Sequence, residues 1–163
     1  AVLPLARKIP DTLVLRDYHV DNLMVLENRP GVSACGLLDF QDAVIGPLTY
    51  DLASLLEDAR RDVPPTMART LRDRYLAAFP HLDREEFLTS CAVLGAQRSA
   101  KIIGIFTRLA RRDGKPGYLQ HIPRTWRWLE GDLSHPALAD IRDWFDRAIP
   151  PERRVSPETL ART

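Results

Sequence analysis

Cysteine is nearly missing from this chain: its 163 residues include two, Cys35 and Cys91. Each sits in an apolar stretch, and no Cys and His pair has the spacing of a zinc site, so a disulfide scaffold and a zinc module are both excluded. Both cysteines are read as reduced core residues, as expected of a cytoplasmic protein. Long apolar runs are missing as well, and nothing approaches the roughly 18 consecutive residues of a membrane span. Charge of one sign is missing too. The net charge is +1, which implies no field for nucleic acid or a bilayer surface. The opening AVLPLARKIP lacks the charged start and long apolar centre of a signal peptide. It begins on Ala rather than Met and reaches a strand-like run almost at once, so a piece of a longer chain is expected. What is present is ordinary: 45% hydrophobic and 28% charged residues, enough for one globular domain with a real core.

The chain divides into two zones. Residues 13–45 are strand-like, with short apolar runs at Leu13–Leu15, Leu23–Leu26 and Ala34–Leu38, and a turn signal, ENRPG, between the last two. From Pro47 the pattern becomes helical. Leu52, Leu55, Leu56 and Ala59 form an i, i+3, i+4, i+7 stripe. Pro64–Pro65 opens a second helix that stops at Pro80. Asp83 with Glu86 makes a capping box for a long helix over 84–111, ended by DGKP. Helices over 122–130 and 136–148 follow, the latter capped by Ser134 or His135, and a polar tail ends the chain. The expected architecture is α+β: short hairpins packed on a helical bundle.

Between the first two runs lies RDYHVDN, which is long for a hairpin turn and has no glycine. Asp17 and Asn22 are five apart, and Asp39 ends the third run before Phe40. This is the order of the protein-kinase signature: D-x-x-x-x-N, a hairpin, then D-F. The residue types suit phosphoryl transfer. A carboxylate, Asp17, takes the proton of an acceptor hydroxyl. Asn22 and Asp39 supply hard oxygen ligands for Mg²⁺. Taken alone, the first pair reads more readily as a solvated loop; Asp39 before Phe40 and the flanking strands favour the functional reading. Asp51, opening the next helix in GPLTYDLA, also has two readings. It complements the helix dipole, or it accepts hydrogen bonds from the loop backbone and holds Asp17 in place.

In the long helix, Gln97, Lys101 and Arg108 interrupt an otherwise apolar circumference, with Gly104 between the last two. Their spacings of four, three and four put them on one face. They form an acceptor site in which Gly104 leaves room and a cation meets an anionic group, or they pair with neighbouring acids and reach water. Arg98 is open to the same two readings. His19 either touches substrate or makes a loop hydrogen bond. Trp126, Trp128 and Trp144 are read as core.

The motifs DYHVDNL, LLDFQDA and GPLTYDLA together resemble the aminoglycoside phosphotransferase family of small-molecule kinases, which shares the protein-kinase fold. Residues 95–124, GAQRSAKIIGIFTRLARRDGKPGYLQHIPR, narrow the resemblance to the anomeric sugar kinases of bacterial cell-wall recycling, which act on N-acetylmuramate and N-acetylglucosamine. The resemblance implies ATP and Mg²⁺ as cofactors, Asp17 as catalytic base, Asn22 and Asp39 as metal ligands, Asp51 as loop organiser, and His19, Gln97, Lys101 and Arg108 around the sugar. It leaves the role of Asp42 open. It implies a kinase-like C-terminal lobe over 1–149, with catalytic and metal loops over 13–45, a helical substrate subdomain over 46–149, and a tail over 150–163. The sequence departs from the family at Leu15, where relatives carry His, and at Gln41, in place of the Gly of D-F-G. A Gly-rich loop, a strand lysine and its partner glutamate do not occur, so an N-terminal nucleotide-binding lobe is expected upstream and the fragment alone is expected to be weak or inactive. The rival expectations are a kinase for an aminoglycoside or amino alcohol, and a non-catalytic kinase-like binding module.

Overall fold

The computed structural model describes residues 1–155. After a 3-10 turn at Leu3–Arg7, four short strands follow: β1 (Asp11–Val14), β2 (Leu23–Val25), β3 (Cys35–Leu37) and β4 (Val44–Pro47). Five α-helices follow among the described residues: α1 (Tyr50–Leu56), α2 (Pro65–Ala77), α3 (Arg84–Arg112), α4 (Ile122–Leu133) and α5 (Ala139–Ala148). This is the α+β arrangement the sequence implies.

The strands make two nested antiparallel pairs. β1 pairs with β4 on the outside, in the register Val14 to Val44. β2 pairs with β3 inside that pair, in the register Leu23 to Leu37. The β1–β4 pairing was not read from the sequence. Its second strand is only VIGP, and Pro47, which has no N–H to donate, sits at the strand end where a ladder tolerates it.

α3 is the axis of the bundle. Asp83 caps it, its carboxylate accepting the N–H of Glu86 at 2.8 Å. Its buried side includes Phe87, Val93, Leu94, Ile102 and Phe106. α4 packs along it through Ile122, Trp126, Leu129 and Leu133, which lie in one core cluster with Val93, Leu94, Ile102 and Phe106 of α3. A second cluster, around Leu48, Leu52, Leu56 and Phe87, seats α1 and α2. Two core assignments are corrected. Cys91 is buried but Cys35 is exposed, because β3 has no layer packed on that face. Trp144 is half exposed on the outer face of α5, whereas Trp126 is buried. Part of the expected loose tail is also anchored. Arg154 is buried, pairs with Glu130 at 2.9 Å and with Asp146, and lies over the Trp126 ring.

Two buried carboxyls meet beneath α3. Glu57 follows α1 and Asp132 lies in α4, and each has an oxygen sealed from solvent with no donor from elsewhere. A β-carbon placed on Gly95 falls 2.5 Å from an oxygen of each, so only glycine fits there. Burial, and then the neighbouring Glu57, push the Asp132 carboxyl up to about 10. Asp132 therefore keeps its proton and donates it to Glu57, which Arg72 of α2 also contacts at 2.9 Å.

Candidate active site

The nested pairing fixes the site before any side chain is considered. Segment 15–22 leaves β1 and enters β2, while segment 38–43 leaves β3 and enters β4. Both ends of one segment are hydrogen-bonded neighbours of both ends of the other, through Val14 to Val44 and Leu23 to Leu37. The two segments therefore run side by side, and they carry Asp17, Asn22 and Asp39. One further bond draws them together: Leu38 N–H donates to the Asn22 carbonyl at 2.9 Å.

The first segment is held from within and from below. The Asn22 amide nitrogen donates to the Asp17 carbonyl at 2.8 Å. Asp51 accepts the N–H of Leu15 at 2.7 Å and that of Arg16 at 3.1 Å. Arg16 has a φ of 72°, a left-handed conformation that costs energy for a residue with a β-carbon. The Asp51 carboxylate offsets that cost by satisfying two backbone donors at the bend. Burial pushes its carboxyl up, and the two backbone bonds pull in the other direction. The Asp51 side chain therefore serves the loop rather than the N-terminus of its own helix.

Asp39 also adopts a left-handed conformation, with a φ of 56°. One of its carboxylate oxygens accepts from the Gln41 amide, a contact that the usual glycine could not make. Because the Asn22 nitrogen is committed to Asp17, its amide oxygen is free to act as a ligand. The second Asp39 oxygen takes no hydrogen bond among the described residues. One amide and one carboxylate oxygen on adjacent segments suit a hard cation such as Mg²⁺, which bound phosphate and water would complete. Among the described residues no three His, Cys, Asp or Glu side chains gather as a self-contained metal cluster.

Beside this loop lies a cavity of about 320 Å³, lined by Asp17 and His19, by Arg60, and by a stripe of α3. The stripe is Arg98, Lys101, Ile102, Ile105, Phe106 and Leu109, with Tyr118 closing the far side. These spacings of three and four define a single helix face. Arg16, Arg60, Arg98 and Lys101 line the cavity with the carboxylate of Asp17, and Arg60 is paired with Asp21 at 3.3 Å. His19 is buried, and its Nδ1 finds no hydrogen-bond partner, lying 3.9 Å from Asp21. Burial, then the charge of Arg60, pull its pKa down, so the imidazole is neutral near pH 7.

Of the four residues expected around a sugar, His19 and Lys101 line the cavity. Gln97 and Arg108 do not; both are exposed on α3, as is Gly104. The three polar interruptions and Gly104 share a face, but the cavity wall is the next face round, one residue further on. Lys101 belongs to both. That offset is why sequence reasoning left Arg98 undecided and missed Arg60 and Tyr118. The signal was present, since Arg98, Lys101, Ile102 and Ile105 follow i, i+3, i+4, i+7.

The model of the phosphotransferase enzyme family matches residues 1–88 of the chain. An N-acetylmuramate/N-acetylglucosamine kinase from Caulobacter vibrioides is 50% identical over 139 residues, covering 85% of this chain and 38% of that protein. Kinases of the same name from Pseudomonas aeruginosa and Pseudomonas putida are 42% and 40% identical, each over 81% of this chain and 40% of its own length. The chain thus spans about two fifths of the length of the curated relatives it matches.

Proposed function

The chain belongs to the phosphotransferase enzyme family, and from that premise we propose that it is the kinase-like C-terminal lobe, over 1–149, of a longer enzyme that moves the γ-phosphoryl group of ATP onto the anomeric hydroxyl of an amino sugar. Asp17 is the base. It stands where the ordered loop meets the cavity, placed to accept the proton as the acceptor O–H breaks and the new O–P bond forms. The old P–O bond breaks toward ADP, which leaves with the electron pair. Asn22 and Asp39 hold Mg²⁺, which when bound neutralises phosphate charge. Asp51 fixes the bend at Arg16 and so the aim of Asp17.

The observation that carries the acceptor class is the charge of the cavity. With Arg60 paired to Asp21, the lining still holds Arg16, Arg98 and Lys101 against the carboxylate of Asp17, which repels a polycationic aminoglycoside or an amino alcohol and suits a neutral or anionic sugar. The relatives named as N-acetylmuramate/N-acetylglucosamine kinases support the same choice. His19 and Lys101 are assigned to the sugar; Gln97 and Arg108, outside the cavity, receive no role. The exposed apolar side chains of the strand region, Leu13, Val25, Phe40, Val44 and Ile45, form the surface on which the preceding nucleotide-binding lobe and the adenine ring would pack.

The test is an acceptor panel on the full-length protein with ATP and Mg²⁺, following ADP release and identifying the product by phosphorus NMR. N-acetylglucosamine and N-acetylmuramate should each yield an anomeric phosphate. Transfer to an aminoglycoside and to neither sugar would overturn the assignment.

A further inference from the structure

Arg98 is a buried cation without a matching anion. It is 6% exposed, and among the described residues its one hydrogen bond is a long 3.4 Å contact from Nη1 to the Glu57 carbonyl. Among the described residues it makes no salt bridge within 4.0 Å, although the charges of Glu57, Asp58, Asp17 and Asp51 act on it. Two of those carboxylates are held elsewhere, and a third is held through one oxygen. Glu57 is held by Arg72 and by Asp132. Asp58 accepts the Arg60 N–H through Oδ1, while its buried Oδ2 makes no hydrogen bond and lies 3.6 Å from Arg61. Asp51 is used by the loop. Asp17, at the cavity, is the one left to meet the acceptor. No Arg98 nitrogen is among the sealed, unpartnered polar atoms of the described residues, and Arg98 lines the cavity.

Burying a guanidinium without a paired anion is costly. A fold retains one where something supplies the anion, and this one lines the acceptor cavity. We propose that Arg98 reads an anionic substituent of the acceptor, taking a carboxylate through its forked N–H donors. The geometry gives reasons for this residue over its neighbours. A guanidinium presents two parallel donors that match the two oxygens of a carboxylate, and its burial removes competing water. Lys101, one turn along the same stripe, is exposed and rests its Nζ 3.4 Å from the Tyr50 hydroxyl. It adds field but not a fixed geometry. Arg98 is thus a specificity residue, and it determines how strongly an acidic amino sugar is preferred over its neutral counterpart. This inference rests on the amino-sugar kinase reading above.

The experiment compares, on the full-length wild-type protein, N-acetylmuramate, the same sugar with its carboxylate methyl-esterified, and N-acetylglucosamine. It then repeats the comparison with Arg98→Gln and Arg98→Lys. Loss of one charged hydrogen-bonded contact corresponds to about tenfold or more in affinity. The KM of the wild type should therefore rise by at least about tenfold on esterification. Arg98→Gln should raise the KM for the acid to that of the ester while leaving N-acetylglucosamine within about threefold, well below the effect of one charged contact, and Arg98→Lys should fall between. Equal wild-type KM for acid and ester overturns the proposal without any variant having to fold. So does an equal loss for all three acceptors in Arg98→Gln, the mark of a purely structural arginine. Failure of the wild type to phosphorylate any of the sugars would instead overturn the kinase reading itself, and this proposal with it.

Discussion

α3 contains two glycines that present opposite surroundings, and the same substitution at both should have opposite signs. Alanine is favoured over glycine in a helix interior by about 1 kcal/mol, because glycine surrenders more backbone freedom on folding. At Gly104 a new methyl meets nothing within 4 Å, so Gly104→Ala should stabilise by about 0.5–1 kcal/mol. At Gly95 the methyl would lie 2.5 Å from Glu57 Oε2, 2.5 Å from Asp132 Oδ2 and 2.9 Å from Asp132 Cγ. Neither acid can swing away easily: both are buried, one is clasped by Arg72, and they share a proton. Overpacking costs about 1–3 kcal/mol, and separating the pair leaves buried oxygens without a donor at about 1–3 kcal/mol more. After the helix-propensity gain, Gly95→Ala should destabilise by roughly 1–5 kcal/mol. Thermal unfolding of the full-length protein, followed by far-ultraviolet circular dichroism, reads the sign of the difference, since 1 kcal/mol moves a midpoint by about 2–4 °C in a chain of about 150–250 residues and by less in a longer one. If Gly95→Ala raised the midpoint as Gly104→Ala does, the two carboxyls would not occupy the space beneath α3 and the account of that core would be wrong.

The same pair makes stability depend on pH. The Asp132 carboxyl is raised in the folded state, so the folded protein holds a proton that the unfolded chain has released once pH passes the ordinary aspartate range. The stabilisation is complete below that range and falls as pH rises, by about 1.4 kcal/mol per pH unit for one proton. Glu57, Arg72, Cys91 and His135 face the same region. Asp132→Asn keeps a donor to Glu57 without the titration. Its stability, measured by urea unfolding, should fall less steeply than that of the wild type between pH 5 and pH 8. Parallel pH profiles would show that Asp132 is already ionised in the folded state. The chain in isolation should bind ATP with Mg²⁺ only weakly, since Asn22 and Asp39 offer it the phosphate edge alone. A titration calorimetry result of micromolar affinity for residues 1–163 would contradict this.

Much of the site could be read from the chain because the motif is local and the topology nests it. Asp17 and Asn22 lie within one loop, and one short hairpin later the chain reaches Asp39. Asp83 announced the start of α3, and DGKP its end. What could not be read depends on distant partners. The β1–β4 pairing rests on a four-residue strand with a terminal proline, too short to show alternation. Glu57 and Asp132 look like ordinary surface acids at the ends of amphipathic helices, and only the packing of α1 and α4 against Gly95 buries them together. The polar residues of α3 were read as one functional face. The cavity took the adjacent face, because the loop approaches α3 from the side of Arg98 and Ile102, and a shift of one residue turns a helix by about 100°. Cys35 misled for a related reason: its apolar stretch is a real strand, but one that this chain covers on neither side.

The central claim is that Asp17 is the base of a phosphoryl transfer organised by Asn22, Asp39 and Asp51. Its most direct test is turnover by full-length Asp17→Asn with saturating ATP, Mg²⁺ and N-acetylmuramate, alongside its unfolding midpoint. Asp17 is exposed and its side chain makes no hydrogen bond in the loop, so the midpoint should stay at the wild-type value while kcat falls by about a hundredfold or more, the scale of a lost general base. Transfer by the variant at a rate close to wild type would contradict the account.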